Sequence, residues 1–179
     1  MLGCSHHAPK KKWIVPGTEK EPIEWTTLDI NPRVHPDVVF DLNGIEKGDR
    51  LPFEDNAFDE IHAYSILEHY GKQGEYEGFF AGFRELWRVV KPGGHLVAGT
   101  PLYSDLWAWG DPGHTRIISR GTISYLCKSF YESITDAESP MTDYRHLVEP
   151  CWWEAPFSYE FPELGGYYFG LKKIHGVKV

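Results

Sequence analysis

Short apolar runs alternate with polar segments along most of this chain. From residue 25 onward, runs rich in Val, Ile, Leu and aromatic residues are closed by Pro, Gly or Asn, a pattern typical of strands separated by loops or helices. The predicted strands comprise residues 25–30, 37–42, 58–64, 95–100 and 167–174, with Met1-Leu2 as the stub of an earlier strand. This alternation predicts an α/β fold with a largely parallel sheet.

The clearest helical pattern lies between the third and fourth of these runs. Between residues 76 and 90, seven apolar side chains recur at helical spacing and form one stripe. Arg84, Glu85 and Arg88 fall on the other side of this helix. The helix is predicted to end at Lys91-Pro92, because proline cannot continue it.

The second half of the chain is harder to assign. A second helix is expected to begin with Ser119 as its N-cap and to turn four side chains inward: Ile123, Leu126, Cys127 and Phe130. Residues 132–166 are rich in Pro and aromatic residues, and we expect an irregular insertion there, either a surface arm or a flap over the substrate. The length of 179 residues suits one domain, so residues 1–179 are expected to form a single domain with a reduced N-terminal part.

The composition argues against several kinds of function. The net charge of −8 argues against general nucleic-acid binding, which needs a basic surface. The three cysteines, Cys4, Cys127 and Cys151, show no Cys-x-x-Cys spacing, so we predict neither a disulfide framework nor a metal site. Scattered cysteines and the lack of a long apolar stretch indicate a cytoplasmic protein with no membrane partner. The oligomeric state is left open.

Small or polar residues stand at the ends of successive predicted strands. Open α/β sheets bind ligands in the crevice outside the carboxyl ends of their strands. The residues at these ends are Gly3-Cys4-Ser5, Asp29, Asp41, Tyr64-Ser65 and Thr100. Their convergence predicts one pocket floor.

Two of these strand-end residues are carboxylates with two interpretations each. Asp29 suits the hydroxyls of a ribose, which a carboxylate can accept as hydrogen-bond donors. Asp41 suits an adenine amino group or the orientation of the adjacent loop. Both also suit an ordinary turn, because Asp side chains stabilise turns and helix starts.

Three further segments follow one another in an order and at a spacing that are found in a known protein family. Residues 51–61 read LPFEDNAFDEI, residues 67–69 read LEH, and residues 84–94 read RELWRVVKPGG. Together with the strands from about residue 25 to 101, this order resembles the small-molecule type of class I S-adenosylmethionine-dependent methyltransferases. The resemblance implies a Rossmann-like, mostly parallel twisted sheet with flanking helices and an antiparallel last strand.

The resemblance also implies a cofactor, S-adenosyl-L-methionine, and roles for individual residues. Gly3, Cys4 and Ser5 would stand for the glycine loop beside the methionine part, although Ser5 replaces the usual second glycine. Asp29 and Ile30 would hold the ribose, and Asp41, Leu42 and Leu51 would flank the adenine. The channel toward the transferred methyl group would be lined by Tyr64, Ser65 and His69.

Candidate catalytic and acceptor-binding residues follow the predicted strands 58–64 and 95–100, and the loop of His114 also resembles the acceptor-side loop of this family. His69 and His114 are the candidate bases, with a surface or capping role as the alternative for each. Tyr103, Trp107 and Trp109 would stack on a flat substrate, unless they pack in the core or at an interface. Arg116 would bind an acidic group of the acceptor or form an ordinary ion pair.

Two functions are therefore carried forward. The first is methyl transfer from S-adenosylmethionine to a small or terminal O, N or C acceptor. The second is a non-catalytic relative that keeps the sheet for binding or assembly, which the altered glycine loop favours. A dinucleotide-dependent oxidoreductase is disfavoured, because no Gly-x-Gly-x-x-Gly opens a helix.

Overall fold

A computed structural model describes residue 2, residues 25–134 and residues 141–174. The strands are β1 (Leu28–Asp29), β2 (Val38–Val39), β3 (Phe58–Tyr64), β4 (Val90–Pro101), β5 (Trp153–Phe161) and β6 (Gly166–Lys173). The α-helices are α1 (Tyr76–Val89), α2 (Leu106–Gly110), α3 (Arg120–Ser124), α4 (Lys128–Ser133) and α5 (Arg145–Val148). Short 3-10 helices occupy Pro32–Val34, Leu42–Lys47, Leu67–His69 and Pro162–Leu164.

The sheet is mostly parallel, as expected. β1 pairs in parallel with β2, and β3 pairs in parallel with β4. Leu2 forms parallel bridges to Leu28 and Ala63, so this residue of the predicted N-terminal stub lies between β1 and β3. β6 lies between β4 and β5 and runs antiparallel to both. The α/β fold with a reversed last strand is therefore confirmed.

Helix α1 forms where the apolar stripe predicted it. The Glu75 carboxylate caps its first turn by accepting the Gly78 amide at 2.9 Å. The stripe buries Phe79, Phe80 and Phe83 among other core residues. At Val90 the backbone turns to an extended conformation and enters β4 directly, so the helix ends just before the predicted Lys91-Pro92 stop.

Glu85 and Arg88, on the side of α1 away from the apolar stripe, also make contacts inside the protein. Glu85 is buried, and its carboxylate accepts both the Leu51 amide at 2.8 Å and the Arg88 guanidinium at 2.6 Å. Arg88 also donates to the carbonyls of Leu51 and Phe53. The pair turns inward because it provides hydrogen bonds for a loop that has no strand partner there.

Two expectations for the second half need correction. The helix capped by Ser119 ends at Ser124, and a second helix, α4, follows after a break, so Phe130 lies on a separate element. Where an irregular insertion was expected over residues 132–166, the described residues from 141 onward contain α5 and the nine-residue strand β5. Pairing with β6 creates this strand despite Pro156, which lies at an irregularity of the register between Glu154 and Phe157.

A buried lysine ties the end of β6 to α1 and β4. The Lys173 ammonium donates to Asn56 Oδ1 at 2.7 Å and to the carbonyls of Trp87 and Val90 at 2.8 and 2.7 Å. It also lies 3.7 Å from the centre of the Trp87 ring. Burial lowers the pKa of Lys173, and the three oxygens hold the ammonium in place. None of the helices described is both long and apolar enough to cross a membrane.

Candidate functional site

A cleft of about 370 Å³ opens at the carboxyl ends of β1, β2 and β3. Its walls are the residues that follow each strand. They are Leu28, Asp29, Ile30, Phe40, Asp41, Leu42, Asn43, Ser65, Ile66, His69 and Tyr70. The volume falls within the range of about 300–1,000 Å³ that small-molecule sites occupy. The cleft thus joins Asp29, Asp41 and His69 in one space.

The two carboxylates of the cleft keep part of their hydrogen-bonding capacity. Asp29 Oδ1 accepts the Asn31 amide at 2.8 Å, and Asp41 Oδ1 accepts the Asn43 amide at 2.9 Å. Each aspartate thus has the turn role considered above. Within the described ranges, Oδ2 of each carboxylate makes no hydrogen bond, so a ligand can donate to it.

The end of β3 forms another wall of the cleft. Ser65 adopts a left-handed backbone with φ 52°, and its amide donates to the Gly99 carbonyl at 2.8 Å. This bend turns the chain sharply from the strand toward His69. Ile30, which also lines the cleft, keeps 58% of its surface exposed and offers an apolar face to a ligand.

Several expected cofactor residues lie elsewhere. Leu51 is buried in the core, and Tyr64 places its hydroxyl 3.3 Å from His62 Nδ1. Gly3, Cys4 and Ser5 lie outside the described residues. The cleft therefore contains Asp29, Ile30, Asp41, Leu42 and Ser65 of the predicted cofactor set.

The two candidate bases lie side by side. The rings of His69 and His114 meet edge to face, with centroids 4.7 Å apart. His69 Nδ1 lies 2.9 Å from the Gly113 carbonyl, and His114 Nδ1 lies 2.8 Å from the Trp107 carbonyl. A carbonyl only accepts, so Nδ1 is the donor in each ring, and in the neutral form of the ring the lone pair is on Nε2.

Backbone contacts of Glu68 hold the loop that carries His114. The Glu68 carbonyl accepts the amides of Thr115 and Arg116 at 2.9 and 3.1 Å. Gly113 leaves room for this arrangement, because a Cβ there would lie 3.2 Å from His69 Nδ1 and 3.1 Å from Asp111 Oδ1, so both side chains would have to move. The contact of His69 with the Gly113 carbonyl joins two segments that lie 44 residues apart in the sequence.

The side chain of Glu68 was missed by the sequence reasoning. It is only 3% exposed, and within the described ranges neither carboxylate oxygen has a hydrogen-bond partner. Oε1 lies 3.9 Å from His114 Nε2. Burial raises the pKa of Glu68. The only signal in the sequence was its position beside His69 in the Leu-Glu-His segment.

Of the residues expected to bind the methyl acceptor, three are exposed and one is buried. Tyr103, Trp107 and Trp109 are 50%, 65% and 71% exposed, on and before α2. Arg116 is buried, donates to the carbonyls of Tyr70 and Glu75, and lies 5.1 Å from the centre of the Phe79 ring. Its guanidinium is therefore committed to contacts within the protein.

A family of known sequences matches the part of the chain that forms most of this site. Residues 20–98 match a family model described as the methyltransferase domain. This segment is therefore similar to the methyltransferase domain family. The resemblance inferred from the three motifs is thereby confirmed. The methyltransferase domain match includes Asp29, Asp41 and the Glu68-His69 pair, and it ends before His114. No curated protein gives a significant match to the chain.

The chain is also similar to several solved structures. One is an S-adenosylmethionine-dependent methyltransferase from Archaeoglobus fulgidus, 14% identical, covering 82% of this chain and 75% of that chain, with a TM-score of 0.48. Another is the N-methyltransferase NodS from Bradyrhizobium japonicum in complex with S-adenosyl-L-homocysteine, 12% identical, covering 82% and 65%, with a TM-score of 0.47. The [4+2]-cyclase SpnF is 15% identical, covering 84% and 66%, with a TM-score of 0.50.

At these identities the likeness concerns the fold alone. The SpnF match agrees with the Rossmann-like sheet described above. Because that protein is described as a cyclase, the same architecture also serves proteins not described as methyltransferases. The reaction of this chain must therefore be argued from its own cleft.

Proposed function

We propose that this protein transfers a methyl group from S-adenosyl-L-methionine to a small or terminal O, N or C acceptor in the cytoplasm. The observation that carries the proposal is the cleft, in which the carboxylates of Asp29 and Asp41 and the imidazole of His69 face one space. The methyltransferase domain match over residues 20–98 supports the choice of cofactor.

The cleft residues suit the adenosyl group. The Asp29 carboxylate accepts from the ribose hydroxyls through Oδ2, while Oδ1 keeps its turn contact with Asn31. The Asp41 carboxylate accepts from the adenine amino group, and the exposed Ile30 packs against the sugar or base. These contacts orient the nucleoside. The residues that line the cleft include no Lys or Arg, so the nucleoside is held by acceptors and apolar contacts.

The histidine pair suits the acceptor side. S-adenosylmethionine supplies an already activated methyl on a sulfonium, whose leaving group is a neutral thioether. The protein must align donor and acceptor and exclude water. When the acceptor carries a proton, Nε2 of His69 accepts it, because Nδ1 is bound to the Gly113 carbonyl. His114 packs against His69 and keeps its ring in this orientation.

Calorimetric titration with S-adenosylhomocysteine and S-adenosylmethionine tests the cofactor assignment. Asp29→Ala is expected to weaken binding about 30-fold or more, because it removes charge-assisted hydrogen bonds of about 1.5–3 kcal/mol each. Asp143→Ala is the matched control. Asp143 makes the same kind of turn contact, to the Arg145 amide at 2.9 Å, outside the cleft.

The control is expected to bind as the parent chain does. Equal binding by the Asp29→Ala variant would remove the ribose role of Asp29. No heat from the parent protein with either compound would contradict the methyl-transfer proposal and favour the non-catalytic alternative. A screen of hydroxyl, amine and carbon acceptors for S-adenosylhomocysteine formation then tests turnover.

A further inference from the structure

Glu68 lies beside the two histidines, and no described hydrogen bond explains its position. Each of the three side chains, Glu68, His69 and His114, offers a donor atom within 4.8 Å of the other two. The Glu68 carboxylate is 3% exposed and without a hydrogen-bond partner among the described residues. A buried carboxylate without a partner is costly, so the site is suited to a positively charged ligand.

The histidines are oriented as metal ligands usually are. Imidazoles that bind a metal through one nitrogen generally donate the other N–H to a carbonyl or carboxylate. Here both Nδ1 atoms are held by carbonyls, those of Gly113 and Trp107, at 2.9 and 2.8 Å. In the neutral rings, this leaves the Nε2 atoms as the ones that can bind a ligand. One of them, on His114, lies 3.9 Å from Glu68 Oε1.

We propose that Glu68, His69 and His114 form a binding site for a divalent transition-metal ion of the zinc type. Two imidazoles and one carboxylate, with a further coordination position left for solvent or substrate, are a donor set that such ions accept. Magnesium and calcium prefer oxygen ligands alone and are excluded by this set.

The distances require only a small closure. With metal–ligand bonds of about 2.0–2.2 Å, two donors on a tetrahedral ion lie roughly 3.4 Å apart. The observed 3.9 Å between His114 Nε2 and Glu68 Oε1 is close to that value. Asp111 Oδ2 lies 3.8 Å from the same nitrogen, which adds negative charge at the rim. All three ligand atoms lie within 4.8 Å of one another, so a closure of about 1.4 Å or less brings each pair to the tetrahedral spacing.

The position of the site indicates what the ion does. His69 lines the cleft, so an ion held there is reachable from the acceptor side of the cofactor pocket. With the ion bound, His69 Nε2 is a ligand and no longer serves as the base. An acceptor hydroxyl on the ion would lose its proton to solvent near neutral pH, and the resulting oxygen would form the O–CH₃ bond as the methyl–sulfur bond breaks and leaves the neutral thioether. This consequence rests on the proposed methyl transfer and favours an oxygen acceptor. The ion site itself does not depend on it.

Metal binding is tested on the untagged full chain after treatment with a chelator. Equilibrium dialysis with Zn²⁺ is expected to give one tightly bound ion per chain, and Co²⁺ is expected to give a visible absorption spectrum typical of nitrogen and oxygen ligands. Mg²⁺ is expected not to compete. Glu68→Gln, His69→Gln and His114→Gln are each expected to weaken Zn²⁺ binding about 100-fold or more.

Two controls separate this site from incidental binding. His146→Gln changes an exposed histidine of α5 and is expected to keep the ion. A double change, His6→Gln with His7→Gln, removes an adjacent histidine pair that can bind metals by itself. Thermal unfolding confirms that each variant is folded. His69→Gln serves as the second variant if Glu68→Gln does not fold, because it leaves the buried carboxylate unchanged.

The outcomes distinguish the metal site from the cofactor site. Glu68→Gln is expected to lose Zn²⁺ and keep S-adenosylhomocysteine binding, whereas Asp29→Ala is expected to do the reverse. The metal proposal is overturned if the parent chain binds neither Zn²⁺ nor Co²⁺. It is also overturned if binding survives all three cluster substitutions or disappears with His6 and His7.

Discussion

Removal of the Arg88 side chain tests how the loop after the 3-10 helix Leu42–Lys47 is held against α1. The guanidinium donates to both oxygens of Glu85 at 2.6 and 2.9 Å, and to the carbonyls of Leu51 and Phe53 at 3.0 and 2.8 Å. It also meets the exposed Asp55. Glu85 raises the pKa of Arg88, which therefore stays charged at every accessible pH.

The expected cost follows from the groups that lose their partner. Arg88→Ala leaves the buried Glu85 carboxylate without its cation and two carbonyls without a donor. Breaking a buried ion pair from one side costs about 3–5 kcal/mol. For a domain of this size, 1 kcal/mol corresponds to about 2–4 °C, so the melting temperature is expected to fall by roughly 6–20 °C. The contact with Asp55 is screened by solvent and adds little.

Urea unfolding followed by circular dichroism measures this effect. Arg50→Ala is the matched control, because Arg50 is exposed and meets the same Asp55 at 3.4 Å. It is expected to cost less than about 0.5 kcal/mol. The double variant of Glu85→Ala and Arg88→Ala is expected to be more stable than the sum of the single effects by about 2–3 kcal/mol. Additive single effects, or a loss below about 1 kcal/mol for Arg88→Ala, would refute the conclusion that Arg88 stabilises the fold through Glu85 and the loop carbonyls.

Three further predictions concern stability and reactivity. Lys173→Met keeps the apolar stem but leaves three oxygens without a donor, so the unfolding free energy is expected to fall by about 2–4 kcal/mol; an unchanged urea midpoint would contradict this. Burial lowers the pKa of His62 below its usual 6.5, so the unfolded chain binds the proton more readily. Stability is therefore lost as the pH falls below about 6.5 and through the folded-state pKa. His62→Gln is expected to flatten this part of the pH profile, and a variant with the parent's slope would exclude His62 as the cause. Burial raises the pKa of Cys127 to about 11, so alkylation of the folded protein at pH 8 followed by mass spectrometry is expected to leave Cys127 unmodified; rapid labelling there would show that the site opens.

The local elements could be predicted because their signals are local. β3 spans Phe58–Tyr64 and α1 spans Tyr76–Val89, close to the ranges expected from apolar spacing and from the turn residues that follow. The order of strands and the reversed β6 came from the resemblance to a family rather than from periodicity. The pattern predicted longer strands than the structure has at β1 and β2, each of which is only two residues long.

The sequence pattern could not predict contacts that distant residues decide. Glu85 and Arg88 occupy a polar stripe of α1, but their partners are a loop more than 30 residues earlier, so no helical pattern could place them inside. Likewise, β5 exists because β6 offers it a row of hydrogen-bonding groups. Propensity within residues 132–166 does not contain that information.

By itself, the sequence determined that polar residues end several parallel strands, and strand direction alone then brings Asp29 and Asp41 to one edge of the sheet. Only the tertiary structure decided that the Glu68 carboxylate turns inward and meets His69 and His114. That meeting depends on the Glu68 carbonyl accepting the amides of Thr115 and Arg116. A hydrogen bond that closes a long loop is fixed by the whole fold, because no neighbour in the sequence specifies its partner.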